Sequence, residues 1–150
     1  MAEVKKTVLP KKTEHGEQCA LIAWANLMQS KYPELELLAA IPNGGKRDVV
    51  TGVRLKAEGV RAGFPDLILP VPRGVYAGLF LEMKVGRNKP TESQQWWLER
   101  LRQQGYRVCV CYGADEAMKV IKDYLQGMKW ENFQIELTEW LAQKYGKTSE

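Results

Sequence analysis

The chain has 150 residues, of which 45% are hydrophobic and 27% charged, a balance that fits one globular domain with a single sizeable core. No apolar run approaches the roughly 20 residues of a membrane span and no signal peptide opens the chain, so a membrane protein is not expected. The 22 basic and 18 acidic residues leave a formal charge of +4 and an isoelectric point near 8.9. That excess is small, but it is unevenly placed. Lys46, Arg47, Arg54, Lys56 and Arg61 stand against Asp48 and Glu58 in one stretch, and further basic residues gather between Lys84 and Arg107. A basic face on a balanced domain suits a polyanionic partner.

The three cysteines are Cys19, Cys109 and Cys111, with a single histidine, His15. Cys109 and Cys111 alternate in "RVCVCYG" and should share one strand face. An odd count without paired Cys spacing reads as reduced core thiols of a cytoplasmic protein, and structural zinc is not expected.

In chain order, a basic arm precedes Thr13. A helix then runs through "EHGEQCALIAWANLMQSKY" to a break at Pro33, with Glu17, Leu21, Trp24 and Met28 on one face. "LELLAAIP" reads as a strand halted by Pro42, and "NGG" as a turn. "RDVVTGVRLKAEG" has helical spacing at Val50, Val53, Arg54 and Ala57, with Gly59 as its stop. "DLILPV" and "GLFLEMKV" are two apolar strands around a Pro/Gly turn. "GRNKP" ends the second, and "TESQ" is a capping box that opens the helix "TESQQWWLERLRQQG". "YRVCVCY" is a third strand of this group and "ADEAMKVIKDYL" a helix. A final helix in "WENFQIELTEWLAQKY" carries Phe133, Leu137 and Leu141 on one stripe. The order α-β-α-β-β-α-β-α-α implies a mixed α/β domain around a central sheet.

The chemistry lies in the two quoted strands. Alternate strand residues share a face, so Glu82 and Lys84 point together, with Leu81 and Met83 on the opposite face. A short turn lets "DLIL" pair with "LFLEMK", which brings Asp66 towards Glu82. Two converging carboxylates are costly without a cation. Such hard oxygen donors suit Mg2+ or Mn2+, and a lysine beside them can stabilise charge developing on phosphorus. Each residue alone also fits an ordinary role, a Glu–Lys pair on a half-exposed strand and a turn aspartate. Together with the basic face they point to metal-assisted phosphodiester chemistry.

"GFPDLIL" followed by "LEMKV" resembles the PD-(D/E)XK nuclease signature. "IPNGGKRD", "RLKAEGVRAGFPDLIL", "FLEMKVGRNKPTESQQWWLERLRQQGYRVCVCYG" and a first helix with "GEQ" are similar to its VRR-NUC (virus-type replication-repair nuclease) branch, over about Glu14 to Leu125. The resemblance implies a restriction-endonuclease-like α-β-β-β-α core and metal-dependent hydrolysis of DNA. By position, it implies Asp66, Glu82 and the backbone carbonyl of Met83 as ligands of Mg2+ or Mn2+, with Lys84 as the catalytic lysine. Glu17 would be the first-helix acid that reaches the site, and Gln94 the glutamine on the following helix, a residue that also suits a plain capping role. Lys46, Arg47, Arg54, Lys56 and Arg61 would grip phosphates. Stand-alone, phage-type members imply a homodimer acting on four-way junctions or other branched DNA in the host cytoplasm. A non-catalytic nucleic-acid-binding module is the rival reading. The division expected is an arm at 1–13, the nuclease domain at 14–125 and a helical extension at 126–150. His15 is expected on the surface, and Trp96, Trp97 and Trp130 in packing rather than base stacking.

Overall fold

The computed structural model describes residues 11–42, 49–127 and Gly146. Among these residues, four helices, a short 3-10 turn and four strands follow in the order α1 (Glu14–Leu27), the turn (Pro33–Leu37), β1 (Ala39–Ala40), α2 (Val49–Ala57), β2 (Leu67–Leu69), β3 (Leu79–Lys84), α3 (Glu92–Gln103), β4 (Arg107–Tyr112) and α4 (Ala114–Leu125). The sheet runs β1-β2-β3-β4. Its first two pairings are antiparallel and β3–β4 is parallel, with α3 as the crossover. This is the mixed sheet flanked by helices that the sequence implies. The proposed last helix, with Phe133, Leu137 and Leu141, lies outside the described residues, as does nearly all of the arm.

Strand parity sorts the side chains into two layers. Leu67, Leu69, Leu79, Leu81, Met83, Cys109 and Cys111 face α1 and α4 and join Leu21, Ala25, Ala117, Ile121 and Tyr124 in the main core. Burial pushes the Cys111 thiol up to about 12, as befits a small apolar core residue. Cys19 departs from the core-thiol expectation and is exposed. The other face carries Phe80, Glu82 and Lys84 beneath α3. There Tyr106, Phe80, Phe64 and Trp97 meet edge to face in a chain, with ring centroids 5.1, 5.6 and 4.8 Å apart. Every residue of β3 is therefore buried, and Glu82 and Lys84 do not lie on a half-exposed face.

Two elements differ from expectation. "LELLAAIP" gives only a two-residue strand. Pro33 instead starts a 3-10 turn at Pro33–Leu37, and Leu35 alone of its leucines is buried. The helical spacing in α2 is borne out, but it marks no packed face among the described residues: Val49, Val50 and Val53 are all exposed. Its C-terminus closes in a defined stop. The N–H groups of Gly59 and Val60 donate to the carbonyls of Lys56 and Leu55 at 3.1 and 2.9 Å, a Schellman stop with Gly59 at φ 97°.

Gly63 passes close against the first turn of α3. Its φ is +84°, and a Cβ there would stand 2.6–2.8 Å from Ser93 in the first turn of α3. Gly63→Ala should cost about 2 kcal/mol or more, from left-handed strain plus the displaced helix start. Thermal melts of the two proteins check this.

Candidate active site

The β2–β3 register pairs Leu67 with Leu81, so its extension by one residue sets Asp66 opposite Glu82 on one face of the sheet. The Asp66 Oδ2 accepts the Met83 backbone N–H at 2.7 Å, and the Asp66 carbonyl accepts the Ile41 N–H at 2.8 Å. Pro65 is buried just before it, which fixes the approach of the chain.

Glu82 is 1% exposed. Its Oε1 accepts the Gln94 Nε2 at 2.7 Å and lies 3.2 Å from the Lys84 ammonium. Its Oε2 is buried without a partner. Burial first, and then the negative charge of Asp66, raise the Glu82 carboxyl to about 7, against the opposing pull of Lys84. Asp66 is also raised, chiefly by burial, although the Met83 N–H and Lys84 favour its charge. Burial and the neighbouring like charge thus both favour a proton on this pair.

The two ends of the Gln94 amide make different contacts. Its Oε1 accepts the Thr91 N–H at 2.8 Å, and its backbone N–H donates to the Thr91 hydroxyl at 3.3 Å, which closes the capping box. Its Nε2 is left over and holds Glu82.

Glu17 is placed elsewhere. Its Oε2 accepts the Ala114 N–H at 2.6 Å, at the start of α4, and Lys12 lies 3.5 Å from its Oε1. That backbone hydrogen bond holds the Glu17 carboxyl below its ordinary value. Gly113, the N-cap of α4, offers no side chain, and a Cβ there would come within 3.2 Å of the carboxylate. Glu17 therefore caps α4 from another helix. The first-helix acid near the site is Glu14, one turn earlier on the same side of α1. Its Oε1 lies 3.8 Å from the Lys84 ammonium and accepts a bond from Asn88 at 3.4 Å, and its charge raises both Asp66 and Glu82. The signal for it was in the sequence: an acid three residues before Glu17 shares its face.

Of the basic residues, Lys46 and Arg47 lie outside the described residues. Arg54, Lys56 and Arg61 are exposed, and the Arg54 Nε donates to Glu58 at 2.9 Å. Trp97 packs inward and donates its indole N–H to the Ala62 carbonyl at 3.1 Å, whereas Trp96 is 53% exposed with Arg100 over its ring. His15 is exposed, as expected, and lies 3.6 Å from the Cys19 sulfur. Trp130 lies outside the described residues. Among the described residues no cluster of three or more His, Cys, Asp or Glu side chains could hold a metal, and no helix is long and apolar enough to cross a membrane.

The pattern of the VRR-NUC domain matches residues 3–115. The chain belongs to the VRR-NUC family. The match starts within the segment read as an arm and stops at the beginning of α4, so its bounds differ from the 14–125 expected. A solved structure described as a VRR_NUC domain protein is similar to this one, with a TM-score of 0.69 and 30% identity over 81% of this chain and 94% of that one. No curated protein matches the chain. Membership in this family makes the fold nuclease-type.

Proposed function

We propose that this VRR-NUC domain hydrolyses phosphodiester bonds of DNA with the help of a divalent cation. The observation that carries the reading is the pairing of Asp66 with Glu82 across β2 and β3, beside a buried lysine, with the Glu82 Oε2 lacking any partner. A buried carboxylate oxygen with no donor fits a cation better than a structural ion pair. Two carboxylates and the Met83 carbonyl form a hard oxygen set that fits Mg2+ or Mn2+, which take few protein ligands and keep the rest of the shell for water and phosphate. Bound there, the cation would supply Lewis acidity towards a phosphate oxygen.

The chain's own residues do the remaining work. Gln94 fixes the rotamer of Glu82 from a helix start that is itself capped. Lys84 places a positive charge 3.2 Å from Glu82, where it can hold an attacking water or stabilise negative charge on the phosphate. Glu14, rather than Glu17, shares this region and holds the far side of the Lys84 ammonium. Incubation of plasmid, linear duplex, flap and four-way junction with Mg2+, Mn2+ or EDTA tests the reading. Cleavage with the metals and none in EDTA supports it. Binding without cleavage under every metal supports the non-catalytic module instead.

Lys56 and Arg61 extend exposed cations beyond the site, and Lys46 and Arg47 belong to the same basic stretch. Replacing any one of the four by Ala should weaken binding about equally for all sequences and lower the salt slope by about one. A loss that depends on base sequence would mean that the residue reads bases. Symmetric cuts in a branched substrate need two sites, so a homodimer belongs to this reading. Light scattering decides that point, since a mass near the 17.1 kDa of one chain rejects it.

A further inference from the structure

Beside the carboxylate pair the fold leaves a groove of about 480 Å3. That is within the roughly 300–1,000 Å3 of sites that hold small organic molecules. Ile41 and Pro42 after β1, Glu58 to Arg61 after α2, Phe64, and Trp97 of α3 line it, and the one carboxylate among them, Glu58, is paired with Arg54 at 2.9 Å. Asp66, Glu82 and Lys84 do not line the groove, but its walls are tied to them through the backbone and α3. The Ile41 N–H donates to the Asp66 carbonyl, and Phe64 stands two residues before Asp66. Trp97 follows by one helical turn the Gln94 that holds Glu82.

We propose that this groove receives an unpaired nucleobase of the DNA, turned out next to the phosphate that Asp66 and Glu82 address. The inference rests on the nuclease reading and adds to it a contact with a base beside the cut. A base is a flat apolar body, and aromatic and aliphatic walls suit it whatever its identity. It also comes tethered to phosphates. Arg61 on the groove's wall, with exposed Lys56 nearby in the chain, supplies the complementary charge. The surface continues along α3 in the same style, where Trp96 is 53% exposed and the Arg100 guanidinium lies 5.3 Å from the centre of its ring. A base inside a duplex has both faces covered and must be unstacked and unpaired before it can enter. The groove therefore favours DNA with unpaired nucleotides at the cut, such as bulges, flaps and branch points.

Fluorescence anisotropy in EDTA, where binding is read without cleavage, tests the groove on three probes. These are a short duplex, the same duplex with a small thymidine bulge, and the same bulge with abasic residues. The wild-type protein should bind the thymidine bulge roughly tenfold more tightly than the abasic one, because the phosphates are identical and only the bases differ. Val60→Trp, which fills the groove from a loop position, should erase that difference and leave duplex binding in place. Equal affinity of the wild type for the two bulges overturns the proposal without recourse to any variant. A Val60→Trp protein that keeps the full difference overturns it as well. Metal-dependent cleavage without a base preference removes only the groove, whereas failure to bind or cut any DNA removes the nuclease reading with it. If Val60→Trp converts a dimer to a monomer and no base preference exists, the groove is a contact between two copies and the base assignment falls.

Discussion

Glu82→Gln should reduce metal-dependent cleavage by about 10³-fold or more while the domain stays folded and still binds DNA. The substitution keeps the volume and an oxygen that can accept the Gln94 Nε2 bond, now 2.7 Å long. It removes the charge that a cation needs, and a loss of about 4 kcal/mol of transition-state stabilisation corresponds to that factor. Asp66→Asn should act similarly, because the Met83 N–H would still find an oxygen to donate to. Lys84→Met, which keeps the buried stem, should cost about 10²–10³-fold through loss of a single charge at the reacting phosphate. Initial rates on a four-way junction with Mg2+, alongside anisotropy in EDTA, measure both quantities. A Glu82→Gln protein that cuts at the wild-type rate overturns the assignment of the site.

The second large effect is on stability. The Glu82 carboxyl is raised from an ordinary value of 4.5 to about 7 in the folded protein. The native state then holds this proton more tightly than the unfolded chain. Its stabilising effect is fully present below about pH 4.5 and disappears as the pH rises through about 7. The change is on the order of 3 kcal/mol, and Asp66 shifts in the same direction. Glu17 acts oppositely, since its lowered carboxyl contributes above the usual carboxylate range and loses that contribution as the pH falls. Without divalent cations, urea melts should show stability falling between about pH 5 and pH 8. Millimolar Mg2+ should restore it at the higher pH and do little at the lower, where the pair is protonated. Glu82→Gln should flatten both the pH dependence and the response to Mg2+. An unchanged response to Mg2+ in that variant would place the cation elsewhere.

Sequence patterns carried the strand pair and its acids because two short-range rules act there. Period-two alternation sets Glu82 and Lys84 on one face, and a short turn brings Asp66 back opposite Glu82. The capping box at Thr91 was equally local. What escaped depended on distant elements. Glu14 and Glu17 share a side of α1, and only the position of that helix against the end of β3 and the start of α4 decides which meets Lys84. The "LELLAA" run suits a strand by composition, yet Pro33 turns it into a 3-10 segment that leaves two residues to pair. The valines of α2 have helical spacing but no layer to cover them among the described residues. The groove draws its walls from four separated stretches, so no window of sequence contains it.

Capping boxes normally accept Glu and Gln alike at their third position, and a survey of helix starts would treat the two as interchangeable. Here the residue has an obligation at each end of one amide. The oxygen of Gln94 closes the box on Thr91 and the nitrogen reaches Glu82. Glutamate would serve the first and defeat the second, setting a third negative charge against a carboxyl that is already reluctant to ionise. A substitution that any helix would tolerate on its own is thereby excluded by a strand twelve residues upstream. Position 94 is a point where the grammar of a helix start and the needs of a buried carboxylate select the same letter for unrelated reasons.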